Sequence, residues 1–308
     1  MSKKKNKKKN AGPPQAVIRL SQCMIVKNEE KNIEKALSWA RRIAFEQIVV
    51  DTGSTDRTIE IAERMGAKVF HYEWVNDFSA AKNFAIEQAT GNWIAFLDAD
   101  EYFTEIDTKK LIIFLKRIMA DPHMRENFHV LNCAMVNVDE EGNRISTLDQ
   151  ERVFRNLPQI RYIGRVHERI HTTKENMVEV DEIEIVHTGY SETALKETDK
   201  AQRNVEMLRV ELEETPGDLN IKSYLADSLR MSEEEKDQAE ADALFMEVIN
   251  SRKDVIPDLL KKAYLHYLRK TVNDPEKRVE YREWCKKANE AIPGDVDLSK
   301  LYAQVRGN

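Results

Sequence analysis

Residues Trp93 to Glu101 read Trp-Ile-Ala-Phe-Leu-Asp-Ala-Asp-Glu, an apolar run that meets two aspartates one residue apart. Five apolar residues bounded by Gly91 and by charge are long enough for a buried parallel strand and too short for a helix. In extended chain, residues i and i+2 point the same way, so the carboxylates of Asp98 and Asp100 are expected to converge. Two converging carboxylates repel unless a cation sits between them, and a hard divalent cation with oxygen ligands suits that position. A cation at a strand end commonly holds phosphates, so the run constrains both the fold and the chemistry.

The stretch from residue 17 to residue 98 extends this pattern. Val17–Val26 is a β-type run, and Asn28 is placed to cap a helix whose first turn holds Glu29 and Glu30. Gln47–Val50 is a second strand ending at Asp51, followed by a helix from Arg57 to Met65 that Asp56 caps and Gly66 ends. Ala67–Tyr72 is a third strand, Ser79 opens another helix, and the Trp93 strand follows. Alternation of strand and helix predicts a parallel sheet covered on both faces. After Glu101 the texture changes: a helix over 111–119, strands over 128–138 and 144–156 joined by the Glu140–Asn143 turn, and a last strand over 182–186 predict an antiparallel extension.

From about residue 193 nothing suggests strand. Helical segments alternate with breaks at Pro216-Gly217-Asp218, Pro257 and Pro293-Gly294-Asp295, close to the period of roughly 34 residues found in tetratricopeptide arrays. The expected organisation is a Lys-rich tail over 1–15, an α/β domain over 16–192 and an all-α helical-repeat domain over 193–308.

Charge and composition narrow the partners. The chain of 308 residues carries a formal charge of −6, and without the six lysines of its first ten residues the remainder stands at −12. An acidic body excludes nucleic acid as the main partner, while the lysine tail suits a solvated segment or peripheral contact with an anionic membrane. Cys23, Cys133 and Cys285 are odd in number and widely spaced, which argues against disulfides and a cysteine-rich zinc site. The absence of a run of about 18 apolar residues and of a secretory signal in the opening residues predicts a cytoplasmic protein.

A second constellation, Asp51-Thr52-Gly53-Ser54-Thr55-Asp56, also lies at a strand end, and strand ends of such a sheet share one edge where ligands bind. Together with Cys23–Glu30, Trp74–Asn83, Asn92–Glu101, Tyr162–Glu168 and His187–Tyr190, it resembles the family 2 inverting glycosyltransferases with the GT-A nucleotide-sugar-binding fold, in a bacterial subgroup with C-terminal helical repeats. The resemblance implies that Cys23, Lys27, Asn28 and Glu29 lie near the nucleotide, and that Asp51, Gly53 and Ser54 meet its base or ribose. It also implies that Lys82 faces the diphosphate, with Asp98 and Ala99 at the donor. Mg²⁺ or Mn²⁺ is expected on Asp98, Asp100 and His187, and the donor is expected to be a nucleotide-diphosphate sugar, foremost a UDP-sugar. The subgroup carries arginine where this chain has Lys82, which keeps the charge but loses the bidentate fork.

The implied reaction is a hexosyltransferase-type displacement at the anomeric carbon by a peptide, protein or glycan acceptor, including a lipid-linked glycan, and a homodimer is among the arrangements left open. Glu168, after the Gly164 turn, is the expected base, with Glu101 and Asp149 behind it; His167 is a further candidate phosphate or metal contact. Trp74 alone of three tryptophans is placed for sugar stacking, Trp39 and Trp93 being core. The rival reading is a helical-repeat adaptor carrying a degenerate nucleotide-sugar domain.

Overall fold

The computed structural model describes residues 17–189 and 198–306. The lysine tail, Tyr190 and the 192/193 boundary therefore lie outside the described residues. Contacts divide the chain into two units, Met1–Gly164 with Glu168–Lys196, and Arg165–His167 with Glu197–Asn308.

The first unit is built on β1 (Leu20–Val26), β2 (Glu46–Asp51), β3 (Lys68–His71), β4 (Trp93–Phe96), β5 (Glu101–Phe103), β6 (Val130–Val138), β7 (Arg144–Arg155) and β10 (Met177–His187), in the order β3-β2-β1-β4-β7-β6-β10-β5. Strands β1 to β4 are mutually parallel; β7 lies antiparallel to both β4 and β6, and β10 runs parallel to β6. The predicted antiparallel extension thus continues the same sheet. Successive β4 side chains serve opposite faces: Trp93 and Ala95 pack with Leu111 and Leu115, whereas Ile94 and Phe96 pack with Ile48 and Ala85. Both faces are covered, which is why these strands read as continuous apolar runs.

The helices on the sheet are α1 (Ile33–Ser38), α2 (Thr58–Met65), α3 (Phe78–Glu87), α4 (Glu105–Ala120) and α5 (Pro122–Asn127). Gly66 ends α2 at φ +89° with its N–H on the Ala62 and Glu63 carbonyls, as its position in the sequence predicts. Two predicted starts differ. Asn28 does not cap α1: it sits at φ +59°, and its side chain accepts from Thr55 N at 2.8 Å, so the helix begins later, at Ile33. α3 begins at Phe78, where the Asp77 carboxylate accepts from Ala80 N, and Ser79 lies within its first turn. A two-stranded ribbon of β8 (Tyr162–Ile163) and β9 (Arg169–Ile170) completes the unit's elements.

At the far end of the sheet a buried carboxylate ties three segments together. Glu46 accepts from Ser21 Oγ (2.7 Å), Thr90 N (2.6 Å), Gly91 N (3.2 Å) and Lys68 Nζ (2.8 Å). A side chain at Gly91 would collide with the Arg19 carbonyl.

The second unit holds α6 (Thr198–Glu214), α7 (Leu219–Leu229), α8 (Glu235–Ser251), α9 (Pro257–Thr271), α10 (Arg278–Ala291) and α11 (Val296–Arg306), each packed on the next, with α7 also touching α9. The two Pro-Gly-Asp breaks do the same work: Asp218 accepts from Asn220 N and Ile221 N, and Asp295 from Asp297 N and Leu298 N. Arg165–His167 belong here, with Arg165 paired to Glu214 and the His167 ring stacked on Tyr224 at 4.3 Å.

Burial alone would raise Glu46, but the Lys68 ammonium and the N–H and hydroxyl donors around it bring the carboxyl down from 4.5 to about 2. A lowered folded-state value stabilises above the unfolded value and is lost as pH falls through the folded one. Urea unfolding between about pH 5 and pH 2 should therefore show roughly 3 kcal/mol lost in this window that Glu46→Gln no longer loses. Identical pH slopes for both proteins would show that Glu46 is not the source.

Candidate active site

The carboxyl ends of the parallel strands lie together: Val26 is in register with Asp51, and Cys23 with both Ile48 and Phe96. His187 ends β10 at the same edge, because β10 runs parallel to β6 and through β7 parallel to β4.

Asp98 and Asp100 do not converge. The chain leaves the extended conformation after Phe96 and turns, with Glu101 N donating to the Asp98 carbonyl at 3.0 Å. The i, i+2 alignment that the sequence suggests needs extended chain, and the turn removes it. Asp98 instead meets two cations: Arg152 Nη2 at 2.6 Å and Lys82 Nζ at 3.4 Å. Burial works to raise Asp98, but Arg152 and then Lys82 outweigh it and hold the carboxyl below its usual range.

Lys82 is corrected in direction. It is 2 % exposed, with Nζ 2.6 Å from Glu168 Oε1 and the rings of Phe96 and Tyr162 at 5.2 and 5.0 Å. It therefore points inward as a bridge between Asp98 and Glu168 rather than outward to a diphosphate. Burial would lower it, yet Asp98 and Glu168 raise it above the ordinary lysine value, so it stays charged. Arg152, which sequence reasoning did not single out, also pairs with Glu101 beneath Asp98, and Glu101 Oε2 accepts from Asp98 N at 3.0 Å. Glu101 is consequently no proton acceptor at the surface, and Asp149 lies exposed on β7.

Asp100 goes with His187. Its Oδ2 lies 3.3 Å from His187 Nε2, and His187 Nδ1 lies 2.6 Å from Asn137 Oδ1. An amide oxygen only accepts, so Nδ1 carries the proton and Nε2 is the nitrogen turned to Asp100. Burial would lower His187, but the Asp100 hydrogen bond and charge raise it. Thr188 N and Oγ1 both donate to the Asp100 carbonyl, at 3.0 and 3.1 Å. A Cβ at Gly189 would stand 2.0 Å from Asp100 Oδ2 and 2.8 Å from His187 Nε2, so only glycine leaves both side chains where they are.

Among the described residues no three His, Cys, Asp or Glu side chains are grouped to hold a metal ion. The donor set that does exist, one carboxylate oxygen and one oriented imidazole nitrogen side by side, fits a cation that takes its other ligands from phosphate and water.

The nucleotide-side expectations divide. Cys23 is fully buried among Ile48, Val50 and Ala85, three residues inside the strand end, so it is a core residue and not a nucleotide contact. Lys27 and Asn28 are exposed, and Glu29 N donates to Thr58 Oγ1. Asp51 is 4 % exposed and accepts from Gly53 N and Ser54 N, with His71 Nδ1 at 3.6 Å. Gly53 at φ +110° makes that turn, and Ser54 Oγ accepts from Asn28 N. The loops after β1 and β2 are thus laced into one rim. Ala99 is buried against Met24 and Ile33. Trp74 is half-buried, its Nε1 donating to Asn76.

Residues 21–123 match the model of the glycosyl transferase family 2 domain. A TPR repeat-containing protein of Synechococcus elongatus is 32% identical over 223 residues, 68% of this chain and 52% of that protein. The SPbeta prophage-derived glycosyltransferase SunS of Bacillus subtilis is 32% identical over 200 residues, 62% of this chain and 45% of SunS. The crystal structure of Staphylococcus aureus TarS 1–349 in complex with UDP-GlcNAc shares the fold, with a TM-score of 0.51 at 15% identity over 94% of this chain and 92% of that one. Residues 21–123 thus form a glycosyl transferase family 2 domain, within a GT-A fold that a helical unit follows, and the chain spans about half the length of the two relatives.

Removing Arg152 would leave the buried Glu101, and the half-buried Asp98 beside it, short of counter-charge. Arg152→Met should cost about 3–5 kcal/mol in urea unfolding, the usual scale for breaking a buried ion pair from one side. A cost below about 1 kcal/mol would mean that water already reaches Glu101.

Proposed function

We propose that this chain transfers a sugar from a nucleotide-diphosphate-sugar donor to an acceptor with inversion, using Mg²⁺ or Mn²⁺ held by Asp100 and His187. The observation that carries the reading is the Asp100–His187 pair at the strand edge, with Asn137 fixing the imidazole and Gly189 leaving room for the carboxylate. When bound, such a cation would neutralise charge on the departing diphosphate. The like-folded TarS was crystallised with UDP-GlcNAc, which makes a UDP-sugar the donor we propose. Asp51 and the laced rim around Gly53 and Ser54 are the proposed seat of its nucleoside.

Glu168 is the proposed base. As the acceptor oxygen bonds to the anomeric carbon and the bond to the diphosphate breaks, the acceptor proton passes to Glu168. Lys82 holds Glu168 Oε1 at 2.6 Å and so sets the direction of the carboxylate. A peptide, protein or glycan is the proposed acceptor, and the helical unit is proposed to recruit it.

Calorimetry should find UDP binding that requires Mg²⁺ or Mn²⁺, with Asp100→Ala losing the requirement together with most of the affinity. Tight metal-free binding by the unaltered protein would overturn the reading. Gly189→Ala should weaken the same dependence while the thermal melt stays cooperative, since its Cβ meets only the ends of two side chains, the Asp100 carboxylate and His187 Nε2. Glu168→Gln should retain UDP binding and lose on the order of 10²-fold or more in turnover. Unchanged transfer would remove Glu168 from the chemistry.

A further inference from the structure

On the first unit a groove of about 630 Å³ runs between α1 and α4, lined by Trp39, Tyr102 and Phe103 and by Lys35, Arg41, Arg42 and Lys109. Ile43 belongs both to it and to a second cavity of about 470 Å³ whose lining is Val17, Ile18, Ile112, Met119 and Lys116 with Ala120. Residues 108, 109, 112, 116 and 119 recur at helical spacing, so one stripe of α4 walls both spaces.

Four features of this furrow point the same way. Its walls carry five cations against a single carboxylate, Glu105, on a chain of formal charge −6. Among the described residues Lys35, Arg41, Arg42 and Lys116 have no ion-pair partner, while Lys109 pairs with Glu105. Thr108 is 7 % exposed and its hydroxyl has no hydrogen-bond partner among the described residues, nor has Trp39 Nε1. Unpartnered buried donors on the wall of a cationic groove call for an acceptor-rich anion. Finally, the neighbouring cavity is aliphatic, and Val17, 73 % exposed at its mouth, comes eight positions after the last of six lysines in the sequence. Ile106 and Ile113 add exposed apolar area on α4, at 66 and 67 %.

From these we infer that the α1/α4 furrow binds an anionic phospholipid at a bilayer surface, with the phosphate in the cationic groove and apolar chain against the aliphatic cavity. Aromatic rings and long basic side chains set around apolar surface are suited to the water–lipid boundary. The furrow itself supplies two attractions, charge for the phosphate and apolar surface for the chain, which is what stable peripheral attachment requires.

The test is flotation of the full-length chain with phosphatidylcholine vesicles and with vesicles containing about one third phosphatidylglycerol, alongside thermal melts with inorganic phosphate and with glycerol 3-phosphate. The full-length chain should float only with the anionic vesicles, and the double variant Arg41→Glu, Arg42→Glu should partition at least about tenfold less, given the worth of each basic residue near such a surface. Thr108→Val removes an unpartnered hydroxyl, so it should melt no lower than the unaltered protein yet bind these vesicles several-fold more weakly. A full-length chain with its six leading lysines changed to serine should bind more weakly but still respond to the Arg41/Arg42 reversal. Equal flotation with neutral vesicles, an Arg41/Arg42 variant or a Thr108→Val variant that binds as well as the unaltered protein, or binding that vanishes with the six lysines alone would each overturn the proposal. So would thermal protection by a soluble phosphate comparable with that by anionic vesicles, which would mark a soluble anion as the ligand.

Discussion

The site of this protein rests on two buried cations. Lys82 from α3 and Arg152 from β7 stand behind the end of β4 and hold the neighbours Asp98 and Glu101 together with Glu168, which lies far along the chain. A buried ion network is poor evidence of added stability, because apolar packing of the same volume often does as well. What it provides is position. Each carboxylate is fixed by a partner whose own location is set by a helix packed on the sheet or by a strand within it. The turn after Phe96 follows from the same network, since the Asp98 carboxylate reaches Arg152 and Lys82 while its N–H is taken by Glu101.

Much of the fold was legible because it depends on local pattern. Continuous apolar runs bounded by glycine and charge located β1, β2 and β4, and Gly66 and the two Pro-Gly-Asp breaks located helix ends through their backbone preferences. The short elements were not legible: β5 has three residues and β8 and β9 two each, too few for any period to register. Their extended shape comes from pairing partners distant in sequence. Asn28 shows a stronger effect of the same kind, where a good capping residue is taken by the neighbouring loop through Thr55 N and Ser54 Oγ.

The candidate site divides along the same line. The acidic residues were readable because they sit at strand ends, where chain direction alone assigns them to one edge. Their partners were not. Arg152 meets Asp98 across 54 residues of sequence and Asn137 meets His187 across 50, and an arginine or asparagine within a strand carries no local mark of such a contact. Arg152 could have been suspected from one sign only, a charge between Glu151 and the apolar pair Val153-Phe154 in a strand pairing with the buried β4. Lys82 was recognised as a residue and misjudged in direction, because burial on α3 depends on the β8 ribbon, with Tyr162 over its ammonium.

The two aspartates that first suggested a cation have come apart into different tasks, and the separation is itself informative. Adjacent carboxylates at one strand end would repel, so a site that keeps both ionised must compensate at least one from within the protein. Here Asp98 receives that compensation from Arg152 and Lys82, whereas Asp100 faces His187 across 3.3 Å at the margin of the sheet. Asn137 removes the imidazole's freedom to rotate or change tautomer, Thr188 anchors the Asp100 backbone, and Gly189 leaves the carboxylate its space. The orientation of both side chains is therefore fixed by neighbouring groups, and such support is what two protein ligands would need if, as proposed, a cation's remaining positions belong to a phosphate-bearing substrate.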